Sequence, residues 1–129
     1  MRVLISGSRD FPDLDLVKEF VKTLPLDTVL INGRAAGVDN CARNQALFQQ
    51  LVVLDRPANW KKYGKSAGII RNHEMVDEVD QVFVFWIGDE KKSPGTKDVI
   101  DYATKQGKLV DCVICPLTDD ESGDIIAGR

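Results

Sequence analysis

Four short stretches combine glycine with arginine, lysine, hydroxyl side chains or a single aspartate, a composition suited to holding an anion. They are GSRD (7–10), NGRAAGVD (32–39), NWKKYGKSAGIIRN (59–72) and SPGT (93–96). Where a glycine-containing turn opens onto a helix, backbone N–H groups can approach a ligand closely and the helix dipole favours negative charge. Gly7, Gly33, Gly37 and Gly95 are therefore candidate backbone contacts. Ser8, Ser93 and Thr96 are candidate hydroxyl partners. Arg9 can grip a phosphate bidentately, or spend its charge on a surface ion pair with Asp10 or Asp13. Arg34 and Lys65 are further candidate phosphate ligands, Lys65 equally a solvated lysine. Arg71 and Asn72 either point into a ligand crevice or tie the preceding loop down. Asp39 either receives a ribose hydroxyl or caps the helix that follows. Neither the dinucleotide G-x-G-x-x-G nor the P-loop spacing occurs in these stretches.

The elements that position them follow from hydrophobic patterning. Val3–Ile5, Thr28–Ile31, Leu51–Leu54, Val82–Trp86 and Leu109–Ile114 have strand length and little alternation, as strands covered on both faces do. Between them lie helical spacings. DLDLVKEFVKTL carries a stripe of Leu16, Val17, Phe20, Val21 and Leu24, with Asp13 or Asp15 as its cap. VDNCARNQALFQQ carries Val38, Cys41, Ala42, Gln45 and Phe48. SAGIIRNHEMVDEV carries Ile69, Asn72, Val76 and Val79, and TKDVIDYATKQG carries Val99, Ile100 and Ala103 before a stop at Gly107. Alternating strands and helices predict an α/β fold, a Rossmann-like doubly wound parallel sheet of order 3-2-1-4-5 with helices on both faces. Its ligand crevice lies beyond the carboxyl ends of strands one and four, where the order reverses. GSRD and SPGT both face that point.

Composition narrows the partners. The 129 residues carry a net charge of −3, but 16 of the 17 Lys and Arg and 16 of the 20 Asp and Glu fall in residues 1–116. The sequence thus divides into a neutral domain, 1–116, and an acidic tail, 117–129. A neutral body gives no basic footprint for a phosphate backbone, so duplex nucleic acid is disfavoured as the primary partner. No stretch approaches the roughly 18 apolar residues of a membrane span, and no signal peptide is evident. Three cysteines, an odd number, fit a reduced, cytoplasmic location. Cys112 and Cys115, three apart in a predicted strand, face opposite sides and read as buried structural thiols, not a redox or zinc pair. Trp60 offers base stacking or an aromatic lid. His73, the lone histidine, reads as structural or solvent-facing. No cofactor or metal is called for.

Taken together, GSRDF, GRAAGVDNCA, PANWKKYGKSAGIIRNHEM and SPGTKDVIDYA resemble the YspA-type (cpYpsA-related) branch of the SLOG superfamily, over residues 2–115. These small Rossmann-like proteins are related to the Lonely Guy phosphoribohydrolases and to DprA. The resemblance implies a nucleotide or nucleotide-derived ligand, such as ADP-ribose or a signalling nucleotide, at the carboxyl edge of the sheet. It also allows a homodimer. Two departures stand out. The phosphoribohydrolases carry P-G-G-x-G-T-x-x-E with a catalytic glutamate; here Gly95-Thr96 match, but the glutamate position is Val99, with Asp98 as its neighbour. The family's second block reads G-G-A-R-G-x-D, whereas here Arg34 and Ala36 take the second and fourth places. Three functions follow: a binding module that senses or sequesters a nucleotide-derived ligand, an N-glycosidic or phosphoribosyl hydrolase, and a DprA-like nucleic-acid-associated protein. The missing glutamate weighs against the second and the neutral body against the third.

Overall fold

In the computed structural model, which describes residues 1–116, five strands form one parallel sheet of order β3-β2-β1-β4-β5. The strands are β1 (Arg2–Gly7), β2 (Val29–Asn32), β3 (Val52–Asp55), β4 (Gln81–Trp86) and β5 (Leu109–Ile114). The helices are α1 (Leu14–Lys22), α2 (Val38–Phe48), α3 (Trp60–Tyr63), α4 (Ala67–Glu78) and α5 (Pro94–Lys105). The expected topology and switch point are thus present, with β1 paired to both β2 and β4.

Alternation along β1 explains the two layers. Val3 and Ile5 face one side with Val17 and Val21 of α1 and Val38, Ala42 and Ala46 of α2. Leu4 faces the other with Met75 and Val76 of α4 and Val99 and Ala103 of α5. Each helix buries only part of its apolar stripe. Asp13 caps α1 by accepting from the Leu16 N–H at 3.1 Å, as the sequence suggests. Leu16, Phe48 and Ile69, read as inward-facing, are instead exposed, Phe48 by 84%. They sit at the margin of their stripes, beyond the width of sheet available to cover them.

Two further expectations are corrected. Strand β1 does not stop before Ser6: it runs through Gly7, which pairs with Phe85. A Cβ at Gly7 would collide with the Phe85 carbonyl oxygen and lie 2.7 Å from Val38 Cγ2, so glycine is required for α2 to pack against this strand end. The thiols of the C-x-x-C are not both buried: Cys112 is exposed and Cys115 half-buried against the α1/α2 layer, because β5 is a largely uncovered edge strand. Within the loop before α4, Trp60–Tyr63 forms a single helical turn capped by Asn59. The acidic tail, 117–129, lies outside the described residues.

Bidentate ion pairs fasten the edges. Arg43 of α2 grips Asp55 of β3 at 2.9 and 3.0 Å, and Arg56 grips Glu78 of α4 at 2.8 and 2.9 Å. The guanidinium in each pair holds its carboxyl below the usual carboxylate range.

Candidate functional site

A cavity of about 360 Å³ opens at the carboxyl ends of β1 and β4, the switch point of the sheet. The β1 exit, the β2–α2 loop, α4 and the first turn of α5 all contribute to its wall. Ser8, Ser93 and Thr96 at this site are buried.

Ser8 and Ser93 form the strut beneath it. The Ser8 hydroxyl accepts from the Ile87 N–H at 3.1 Å and shares a 2.8 Å hydrogen bond with the Ser93 hydroxyl. This joins the ends of β1 and β4 to the N-cap of α5. Ser8 is only 1% exposed and its oxygen is engaged, so it supports the site more than it offers a free hydroxyl to a ligand. Because the Ser93 hydroxyl turns towards Ser8, it does not cap α5. The N–H groups of Gly95 and Thr96 have no hydrogen-bond partner among the described residues. A Cβ at Gly95 would find nothing nearer than Asn72 Nδ2 at 4.0 Å, which leaves open space over the helix start. The loop before it is shaped by Asp89, whose side chain accepts from Lys91 N–H at 2.9 Å and Lys92 N–H at 3.3 Å.

Arg9 reaches the cavity from the β1 side and pairs with neither Asp10 nor Asp13 among the described residues, so its charge is uncommitted. Gly37, at φ +81°, lets the start of α2 ride against the Arg9 backbone; a Cβ there would lie 2.9 Å from Arg9 Cα. Gly37 therefore positions Arg9 without lining the cavity itself.

The opposite wall centres on Asp39, Arg71 and Asn72. Asp39 is 6% exposed on the first turn of α2, yet it does not cap that helix: its Oδ2 accepts from the Ala35 N–H at 3.4 Å, ahead of the helix start. Burial pushes its carboxyl up to about 6, against the lowering influence of the Ala35 N–H, the Arg71 charge and the Gly33 N–H. Arg71 does not tie down the loop that precedes α4, contrary to one sequence expectation. It faces the cavity, and it ties the β2 exit by donating from Nη1 to the Gly33 carbonyl and from Nε to Asn72 Oδ1 at 2.9 Å. A Cβ at Gly33 would lie 3.0 Å from Arg71 Nη1 and 3.1 Å from Asp39 Oδ2, so glycine there lets the two side chains converge behind the loop.

The remaining candidates lie elsewhere. Gly33 sits behind the wall. Arg34, at φ +62°, is exposed and lies outside the cavity; its backbone N–H is held by the Asn32 side chain at 2.8 Å. Lys65 is exposed in the short turn Gly64–Ser66 and does not line the cavity, because that turn leads into α4 beside Trp60. Trp60, 59% exposed, rests its ring edge near Gly68 on α4. Asp98 pairs with His73 at 2.9 Å on the flank between α4 and α5, and His73 stacks on Tyr102 at 3.8 Å. Val99 is 1% exposed in the α4/α5 layer, not in the cavity.

Three residues here escaped the sequence reading. Asp10 and Lys92 line the cavity, and buried Asn32 builds its rear by donating to the Asp39 carbonyl at 2.9 Å. An asparagine closing an apolar strand was a usable signal for the last; no local pattern marked Lys92 among its neighbouring lysines. Among the described residues no helix is long and apolar enough to cross a membrane.

No family model matches the chain. In three dimensions it is similar to DNA processing protein A (DprA) from Streptococcus pneumoniae, with a TM-score of 0.76 and 17% sequence identity. That match covers 98% of this chain and 56% of the DprA chain, so the likeness is one of fold, a Rossmann-type α/β domain, and this chain spans about half the length of the DprA chain. In sequence the chain is 34% identical over 117 residues to the gene 61 protein of Mycobacterium phage D29, across 82% of this chain and 90% of that one. On that match, the chain belongs to the family of the phage gene 61 protein.

Proposed function

We propose that the protein binds a nucleotide or nucleotide-derived ligand, of the ADP-ribose or signalling-nucleotide kind, as a cytoplasmic sensor or sequestering module. One observation carries this reading: the unpartnered Gly95 and Thr96 N–H groups open into a switch-point cavity that also receives the uncommitted Arg9. Unpaired N–H groups at a helix start, an opposed guanidinium and a nearby lysine together match a phosphate. The resemblance of SPGT and its companion blocks to the YspA-type branch, with its Lonely Guy relatives, adds the nucleotide. Nucleic acid is a weaker partner even with a DNA-processing neighbour in fold, since basic and acidic residues balance across 1–116.

Hydrolysis of an N-glycosidic bond is the second reading, favoured by a single feature, the cavity carboxyl of Asp39 with its affinity for protons raised towards neutrality. Against it stand the burial of Val99 and the commitment of Asp98 to His73. A thermal-shift panel of AMP, ADP-ribose, guanine nucleotides and inorganic phosphate separates these outcomes, because a ligand selective for the native state raises the melting temperature. A rise with one or more nucleotides, without release of free base, supports the binding module. No shift at millimolar concentration refutes it, and multiple-turnover release of base replaces it with the hydrolase.

A further inference from the structure

We infer that the ligand presents a sugar hydroxyl to Asp39, so that the site selects ribose over deoxyribose. The inference rests on the phosphate reading of the α5 end and adds the identity of the group at the other pole.

Asp39 is 6% exposed, and its Oδ2 is engaged by the Ala35 N–H. The Gly33 N–H lies near the carboxyl and acts on its charge, but it completes no hydrogen bond to Oδ1, nor does any other described side chain or backbone group. Oδ1 is also absent from the sealed, partnerless polar atoms, which among the described residues are Thr28 Oγ1 and Trp86 Nε1. Oδ1 therefore keeps accessible surface on a residue that lines the cavity. A carboxylate oxygen accepts only, so the ligand must bring a donor.

The surroundings decide which donor. A phosphate beside Asp39 would meet like charge in a desolvated corner, whereas the α5 start offers N–H groups, so the anion belongs at the α5 pole. A cationic group at Asp39 would crowd Arg71, which already approaches the same corner. A neutral hydroxyl remains. Arg71 and Asn72 join the two poles in one continuous wall, Arg71 beside Asp39 and Asn72 Nδ2 within 4.0 Å of a Cβ position on Gly95. A ligand in which one sugar ring links a phosphate to a hydroxyl has the chemistry that these two poles call for.

Calorimetry with AMP, 2′-deoxy-AMP, 3′-deoxy-AMP, ribose 5-phosphate and 2-deoxyribose 5-phosphate tests this on the full chain. AMP should bind roughly tenfold or more tightly than at least one of its deoxy forms, because a site that hydrogen-bonds a hydroxyl leaves a buried polar group unpaired without it. In Asp39→Ala, which removes both carboxylate oxygens, that discrimination should shrink towards parity. Equal binding of AMP and both deoxynucleotides by the wild type overturns the inference and leaves nucleotide binding standing. Discrimination between the two sugar phosphates without any AMP binding keeps the inference and overturns the nucleotide. Binding of none of the five removes both.

Discussion

Asp39→Asn should make the protein more stable at neutral pH, and the size of the gain can be worked from the site. The carboxyl rises from 3.8 to about 6 on folding, chiefly through burial. Two pKa units at about 1.4 kcal/mol each mean that the ionised side chain opposes folding by roughly 3 kcal/mol above pH 7. Well below pH 3.8 the group is protonated in both states and opposes nothing. As pH rises, the unfolded chain ionises first, so stability is lost between about pH 4 and pH 6 and stays lost above. Asparagine keeps an oxygen for the Ala35 N–H and removes the charge. Arg71 loses an attractive neighbour but retains the Gly33 carbonyl and Asn72. A net gain of about 2 kcal/mol at pH 7.5, shrinking as pH falls and gone only well below pH 3.8, is expected. Urea unfolding across that pH range, followed by the fluorescence of buried Trp86, measures it at unchanged m value. A variant equal to or less stable than wild type at pH 7.5, or a difference that does not vary with pH, would refute the desolvation argument. A residue that costs stability inside a cavity is what a binding role leads one to expect.

Gly7→Ala should cost roughly 3 kcal/mol or more, since its Cβ has nowhere to go between the Phe85 carbonyl and Val38; chemical denaturation reads the loss. Arg9→Ala should weaken nucleotide affinity tenfold to hundredfold, about 1.5–3 kcal/mol for one charge-assisted contact, and leave stability nearly unchanged. Gly95→Val should abolish binding by filling the space over the α5 N–H groups while the fold persists, which calorimetry paired with circular dichroism distinguishes. Val99→Glu should destabilise strongly without creating hydrolase activity, because the position is 1% exposed in an apolar layer; a chromatographic assay for free base checks the second half.

The chain order of strands and helices, the parallel sheet and the switch point were all legible locally, because hydrophobic period and strand–helix alternation are properties of neighbours in sequence. So was the pairing of GSRD with SPGT at one edge, since the topology forces it. The thirteen-residue reading of the site was only partly legible. Gly7 looks like a ligand-loop glycine until α2 and β4 are seen to close on it, and Ser8 looks free until Ser93, 85 residues away, is found 2.8 Å from it. Arg34 and Lys65 have the right chemistry on loops of the right edge, but the turn of each loop carries them outside the cavity. Composition and spacing specify which residue types stand where along the chain and which way an ideal element turns them. Which polar atoms end up engaged, which stay open, and how far burial moves the Asp39 proton depend on side chains brought together from distant segments, and packing alone decides those.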